Sequence, residues 1–444
     1  MPPVYRGPFG ESQAERLLWR AGFGPRPGEA KRLAKLGLDG AVRSLTHPGP
    51  EKLVGPKPHD DKGRPLAPAD AWGHDHAWWL DRMVRTSRPL VERMTLVWHD
   101  WFATSNAGVG SQALMLKQND LFRRRALGSF KDLLLDVTHD PAMLLWLNGV
   151  QNTKDEPNEN YARELMELFT LGANRGAYSE RDVREQARAL TGFRYSWARG
   201  RGPVNFRYER KAHDPAGKLI FGHRGTFDWK DACHLCLQHP KHASFFVQKL
   251  WSYFVPVAPD RATQRDLEAI YRTRQVRPVV EAILRHPALY LGPRMTKPPA
   301  VHAAGLMRRL GVAVDTNWSW IGELAGQQLF YPPNVSGWDD TRWLDTSTYR
   351  GRWVGVQHVL DKRRLDPAHP PANMPTEPKL LLDRALAFWQ HPPLSDPTRA
   401  ALLDFATKAM GDASKQSWKL KQYPALVENA LRHLIAVSPD LQTA

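Results

Sequence analysis

The sequence predicts a mainly α, large multi-helix globular fold with one small β-hairpin insertion near residues 205–222. Three observations predict it. Apolar residues recur at helical spacing in most segments, as in Leu90, Met94, Val97, Trp98 and Trp101. Helix start and stop signals punctuate the chain, with Asp140-Pro141 opening one helix and Gly149 closing it. Only residues 205–222 read as strand, with Phe206 and Tyr208 on one side of the turn D-P-A-G and Leu219, Ile220 and Phe221 on the other.

Taken in order, a first helix spans 12–21, and the turn G-F-G-P-R-P-G leads to a second that ends at Gly37 in a left-handed cap. Residues 48–68, rich in Pro, Gly and charge, read as a mobile loop. The helix over 90–102 turns its apolar face to the core and places His99 opposite, beside Thr95 and Glu92, at the surface or in a second, polar cavity. Residues 158–193 read as two helices joined by a glycine-containing turn, the second started by a capping box from Ser179 to Asp182. At 100° per residue Glu164 falls inside the apolar arc of the first helix, where a lone carboxylate needs a partner. Arg188 on the second helix is the natural one. The hairpin carries His213, Asp214 and Lys218 near its tip. Cys233, Cys236, His239 and His242 follow at three-residue spacing; helical placement favours core cysteines over a zinc site. Further helices span 300–310 and 318–330, and the loop Y-P-P-N-V-S-G-W follows, in which Asn334 and Gly337 allow unusual φ and Trp338 offers a stacking face. About three amphipathic helices fill the last stretch.

By length the 444 residues allow about three units: an N-terminal helical lobe over 1–200, a hairpin with a second helical lobe over 201–365, and a C-terminal helical extension over 366–444 packed on the same core. No run approaches the ~18 consecutive apolar residues of a membrane span. Two cysteines suit a reducing compartment and no secretory leader is visible, which points to the cytoplasm; a missing leader or one carried by a partner would place the protein outside it. The net charge of +16 favours a polyanion as partner, nucleic acid, anionic polysaccharide or membrane surface, against the blander reading of a solvated, arginine-rich surface. The basic groups are short and scattered, at 123–125, 207–211, 308–309 and 362–364.

Several segments together resemble the bacterial family called "domain of unknown function 1800". They are L-L-W-R-A-G-F-G-P-R-P, E-R-M-T-L-V-W-H-D-W-F, N-E-N-Y-A-R-E-L-M-E-L-F-T-L-G, Y-S-E-R-D-V, A-R-A-L-T-G-F, H-D-x-x-x-K, the K-P-P step at Lys297, and G-Q-Q-L-F-Y-P-P-N-V-S-G-W. The resemblance spans nearly the whole chain. It implies a companion protein from another uncharacterised, sulfatase- or phosphatase-like family, and it implies export, from which this leaderless sequence departs.

Two functions are compatible with the residues. In one, a pocket gathers Glu164, His99, His213 and Asp214 for acid–base chemistry, with Arg163, Arg188, Lys218, Asn334 and Trp338 binding a polar or anionic, saccharide-like substrate in a hydrolase- or lyase-type reaction. A single divalent metal held by His99 and the carboxylates is a variant; the residues name no other cofactor. In the other, the same groups are structural ion pairs of a non-enzymatic scaffold that binds a polyanion or a protein. No P-loop, HExxH, nucleophile elbow or E-x-x-H pair appears.

Overall fold

The computed structural model describes residues 1–413 and 417–444. The described residues are mainly α-helical, with two small two-stranded antiparallel sheets. Helix starts follow the local chemistry. Asp140 accepts the Met143 N–H at 3.0 Å to open Pro141–Trp146. Ser179 and Asp182 exchange reciprocal bonds at the head of Glu180–Ala189. The second helix, expected to run to Gly37, ends at Ala34, and Gly37, at φ +65°, opens the next helix, Gly37–Thr46.

The apolar interior falls into two clusters. One is built from helices between Tyr5 and Tyr290. The other joins His74–Arg85 to Pro299–Leu310, Thr346–Asp361 and the helices Pro378–Phe388 and Ser417–Val437. The helix Pro89–Trp101 lies between them. Leu90, Met94, Val97, Trp98 and Trp101 face the first cluster, while Leu96 joins the second. This helix is therefore enclosed on both sides, and its nominally polar face is not a surface. Glu92 and His99 are both buried there.

Three local expectations change here. The 48–68 segment is irregular but pinned, with Leu53 bridging Thr86 and His59 bridging Asp315. The helix from Trp318 ends at Leu324 rather than Phe330, because Gly326 turns at φ +82° and Phe330 itself sits at φ +68°. The β structure overlaps the expected 205–222 but pairs differently, as two hairpins, Phe193–Ala198 with Gly202–Tyr208 and Lys218–Ile220 with His223–Gly225. H-D-P-A-G-K thus connects the hairpins and is not the tip of one. Carboxylates on Glu180–Ala189 dock the second hairpin: Glu185 accepts the Leu219 N–H at 2.9 Å and Asp182 that of Phe221 at 2.7 Å. Cys233 and Cys236 lie in the core on Trp229–Gln238, hydrogen-bonded to Thr138 and Gln186, their thiols pushed up to about 12, first of all by burial.

Candidate functional site

The N-E-N-Y-A-R-E-L-M-E-L-F-T-L-G stretch starts as an α-helix, Asn160–Glu164, and widens into a π-turn over Leu165–Thr170. The Leu171 N–H reaches back five residues to Met166 O at 2.8 Å. Three side chains from elsewhere meet successive carbonyls of this turn. Lys249 donates to Leu168 O at 2.9 Å, Trp101 to Phe169 O at 3.1 Å, and a ring nitrogen of His242 lies 2.8 Å from Thr170 O. The other nitrogen of His242 lies 3.0 Å from the Tyr271 hydroxyl. A π-turn is held only when its backbone groups find such partners.

The W-H-D-W motif joins this turn to the Y-P-P-N-V-S-G-W loop. Trp101 caps the turn, while the next-door Asp100 accepts the Trp338 N–H at 2.9 Å and the Tyr253 hydroxyl at 2.7 Å. Gly337 sits at φ +92°, and a Cβ there would collide with the Asp100 carboxylate. Asn334 does not adopt positive φ; its side chain instead accepts the Ser336 N–H at 2.8 Å. Burial raises the Asp100 carboxyl above its usual range, and burial brings the Lys249 ammonium down to about 8 against the pull of Asp100. Arg93, about two helical turns before Asp100, is buried, with Nε and Nη1 unpartnered among the described residues.

His99 is caged by rings. Trp79, Trp338, Phe330 and Phe122 lie 5.1, 5.4, 5.7 and 6.2 Å away between centroids. Among the described residues neither ring nitrogen has a partner, and burial lowers its pKa to about 3. The expectation of a surface or polar-cavity histidine is therefore corrected: the second apolar cluster covers that face. Trp338 is likewise buried rather than offered for stacking.

The expected Glu164–Arg188 pair does not form. Arg188 donates to Asp214 at 2.7 Å, to Glu185 at 3.0 Å and to Gly217 O at 3.3 Å. Asp214 also accepts the Ala216 N–H at 2.8 Å, and Lys218 folds back onto Asp214 O and Ala216 O at 2.7 and 2.9 Å. His213 rests against Thr191, whose carbonyl oxygen lies 3.1 Å from Nδ1. These four residues thus form one local lock over the A-R-A-L-T-G-F turn. Glu164 remains half-buried and, among the described residues, without a hydrogen bond or ion pair. Burial, and then Glu167, push its carboxyl up to about 7 against the opposing charge of Arg163. Arg163 itself pairs with Glu180 at 2.8 Å and Glu159 at 3.1 Å.

The nine candidate residues thus divide among three places: His99, Trp338 and Asn334 at the loop junction, Arg188, His213, Asp214 and Lys218 in the lock, and Glu164 with Arg163 on the helix. Among the described residues no hydrogen bond, ion pair or ring contact joins His99, Glu164 and His213, and no three His, Cys, Asp or Glu side chains gather as metal ligands. Sequence reasoning missed Asp100, Lys249 and Tyr253. Asp100 stands inside the W-H-D-W motif, whereas nothing local marks Lys249 or Tyr253, which arrive from another helix.

Fold and junction define a large helical protein in which polar motifs from distant parts of the chain hold a widened helical turn against a proline-glycine loop. The chain matches the family described as "Protein of unknown function (DUF1800)" over residues 16–443 and belongs to that family. No curated protein and no solved structure matches it.

Proposed function

We propose that the protein is a polyanion-binding scaffold that engages its ligand through the hairpin Phe193–Ala198 and Gly202–Tyr208. One observation carries this reading: Trp197 is 71 % exposed at the end of a hairpin flanked by cations that, among the described residues, lack acidic partners. Tyr195, 38 % exposed, stacks on Phe206 at 5.6 Å beside it. Arg199, Arg201, Arg210 and Lys211 are exposed and, among the described residues, make no ion pair, whereas Arg207 is matched by Glu209. Exposed rings between free guanidinium groups suit a chain of anionic groups with flat faces. The net charge of +16 acts in the same direction over longer range. Two of the four acid–base candidates, His213 and Asp214, are occupied in structural contacts and His99 is enclosed by rings, which also supports a scaffold. A cytoplasmic setting, consistent with two free buried cysteines, belongs to the same proposal, as does a companion protein. No helix of the described residues is long and apolar enough to cross a membrane.

The test is a titration with single-stranded oligothymidylate and with heparin at several salt concentrations. Four unpaired cations predict a slope of log K against log salt near −3 for the single strand, at about −0.7 per phosphate. Arg199→Gln with Arg201→Gln lowers that slope by about 1.4, and Trp197→Ala weakens the oligonucleotide by about 1–3 kcal/mol. Absence of binding to either polymer at low salt removes the proposal.

A second reading rests on Glu164. A half-buried, unpartnered carboxyl that is still partly protonated at neutrality suits a general acid in hydrolase- or lyase-type chemistry on a polar or anionic substrate. Loss of turnover in Glu164→Gln with an unchanged fold, on any substrate of that class, would favour it over the scaffold.

A further inference from the structure

A cavity of about 210 Å³ lies between the helix Glu11–Arg20, the helix Pro299–Leu310 and the C-terminal residues 440–444. Two segments singled out in the sequence meet there, L-L-W-R through Trp19 and the K-P-P step through Lys297. Gly305 lets the Trp19 indole lie against the second helix, since a Cβ at that position would strike the ring. Trp389, with Pro392 and Pro393, supplies a further apolar wall.

The cavity is strongly cationic. Arg16, Arg294, Lys297 and Arg309 line it, and Arg352 stands behind, donating to Lys297 O at 2.8 Å. Backbone carbonyls, rather than carboxylates, hold most of these groups. Arg16 donates to Gly292 O at 2.7 Å and Pro293 O at 2.9 Å, Arg294 to Thr443 O at 2.9 Å, and Lys297 to Leu441 O at 2.7 Å. A carbonyl dipole positions a cation but does not cancel its charge. Of the two side-chain carboxylates that line it, Glu15 is committed to Arg309 at 2.6 Å and Asp440 accepts the Ser395 N–H and hydroxyl at 3.1 and 3.0 Å, while Ala444 O is taken by Arg20 at 2.6 Å. Lys297 is buried, has three N–H donors and meets one acceptor, with its Nζ 3.8 Å from the Trp19 ring centroid. Nε of Arg16 and Nε of Arg309 are buried and, among the described residues, without a partner. Burial, joined by Arg309, Arg294 and Arg352 and opposed by Glu15, holds the Lys297 ammonium well below its usual range. A buried ammonium such as Lys297, with donors unmet and guanidinium groups around it, is destabilising unless an anion completes the group.

We infer that this cavity is a binding site for a compact dianion of the phosphate-monoester class, whose organic part lies against Trp19 and Trp389. Two charges answer more of the uncompensated cations than a single carboxylate does. The volume is below the ~300–1,000 Å³ of drug-sized sites and selects a small ligand. The site is separate from the hairpin, so either assignment stands without the other.

The probes are inorganic phosphate and phenyl phosphate, followed by thermal melting and titration calorimetry on the full chain. Both raise the melting temperature saturably, and phenyl phosphate binds at least about tenfold tighter because its ring fills the aromatic wall. Arg294→Gln, at an exposed position, keeps the fold and weakens phenyl phosphate about fivefold or more. Lys297→Met removes the anion-induced rise altogether. A rise that persists undiminished in both variants is a bulk salt effect and overturns the site. So does the absence of saturable binding of either probe. Trp197→Ala, which tests the hairpin, leaves phenyl phosphate binding unchanged.

Discussion

Arg188 donates from Nε to Asp214 Oδ2 at 2.7 Å, and the guanidinium that helical spacing directs toward Glu164 is thereby committed to the H-D-P-A-G-K segment. The pair is partly buried and shares Arg188 with Glu185. Arg188→Met strands Asp214 and releases the connection between the two hairpins. A loss of about 1–3 kcal/mol in urea unfolding is expected. An unchanged midpoint would mean that Thr191 and Lys218 hold the segment alone.

Glu164 makes stability fall as pH rises. Its folded carboxyl is raised to about 7 from an ordinary value near 4.5, so the folded state keeps a proton that the unfolded chain has released. Its contribution is fully present below about pH 4.5 and is lost as pH climbs through about 7. Glu164→Gln should therefore melt close to the parent at pH 4.5 and above it at pH 8. Melting curves across that range decide the matter; a gap independent of pH would show that Glu164 has found a partner.

His99 acts with the opposite sign. Its folded pKa is depressed to about 3, so its contribution is present above the ordinary value of 6.5 and is lost as pH falls from there toward 3. His76 and His242 are depressed to about 3 in the same way by burial, so acid unfolding should take up about three protons at these rings. His99→Phe replaces an unpartnered imidazole in a ring cage with an apolar ring. Stability at pH 7 should be equal or higher, and the acid limb should be shallower by about one proton. A loss of more than about 2 kcal/mol at pH 7 would reveal a hydrogen bond to His99 in solution.

Gly337→Ala places a Cβ at φ +92° against Asp100. Backbone strain alone costs about 1–3 kcal/mol, and relief requires the loop to leave the Asp100 carboxylate. Faster proteolysis within residues 331–343, with a lower melting temperature, is the expected result. Asp100→Asn should open the same loop, because Trp338 N–H and the Tyr253 hydroxyl both lose a charged acceptor. If only Gly337→Ala opens it, strain and not the Asp100 bonds controls the loop.

Local chemistry was legible along the chain. The Asp140 cap and the Ser179–Asp182 box form as the residues require, since each bond closes within three residues of its donor. The helical class follows from apolar spacing, and the cysteines follow their helix into the core. The π-turn was not legible, because a helical wheel assumes a constant 100° per residue and Leu165–Thr170 departs from it. The turn persists through Lys249, Trp101 and His242, which lie far away in sequence.

The sequence by itself determined the helical class, the Asp140 and Ser179 caps, the family and the excess of positive charge. Tertiary structure alone decided which carboxylate meets Arg188, that the polar face of Pro89–Trp101 would be covered, and that Lys297 and Arg16 would share a cavity. The physical reason is range. Caps and periodicity are settled within a turn or two of backbone, whereas the partner of a buried charge depends on which distant element packing brings within about 3 Å. The stretch 158–193 shows both, with its ends fixed locally and its widened centre held from outside.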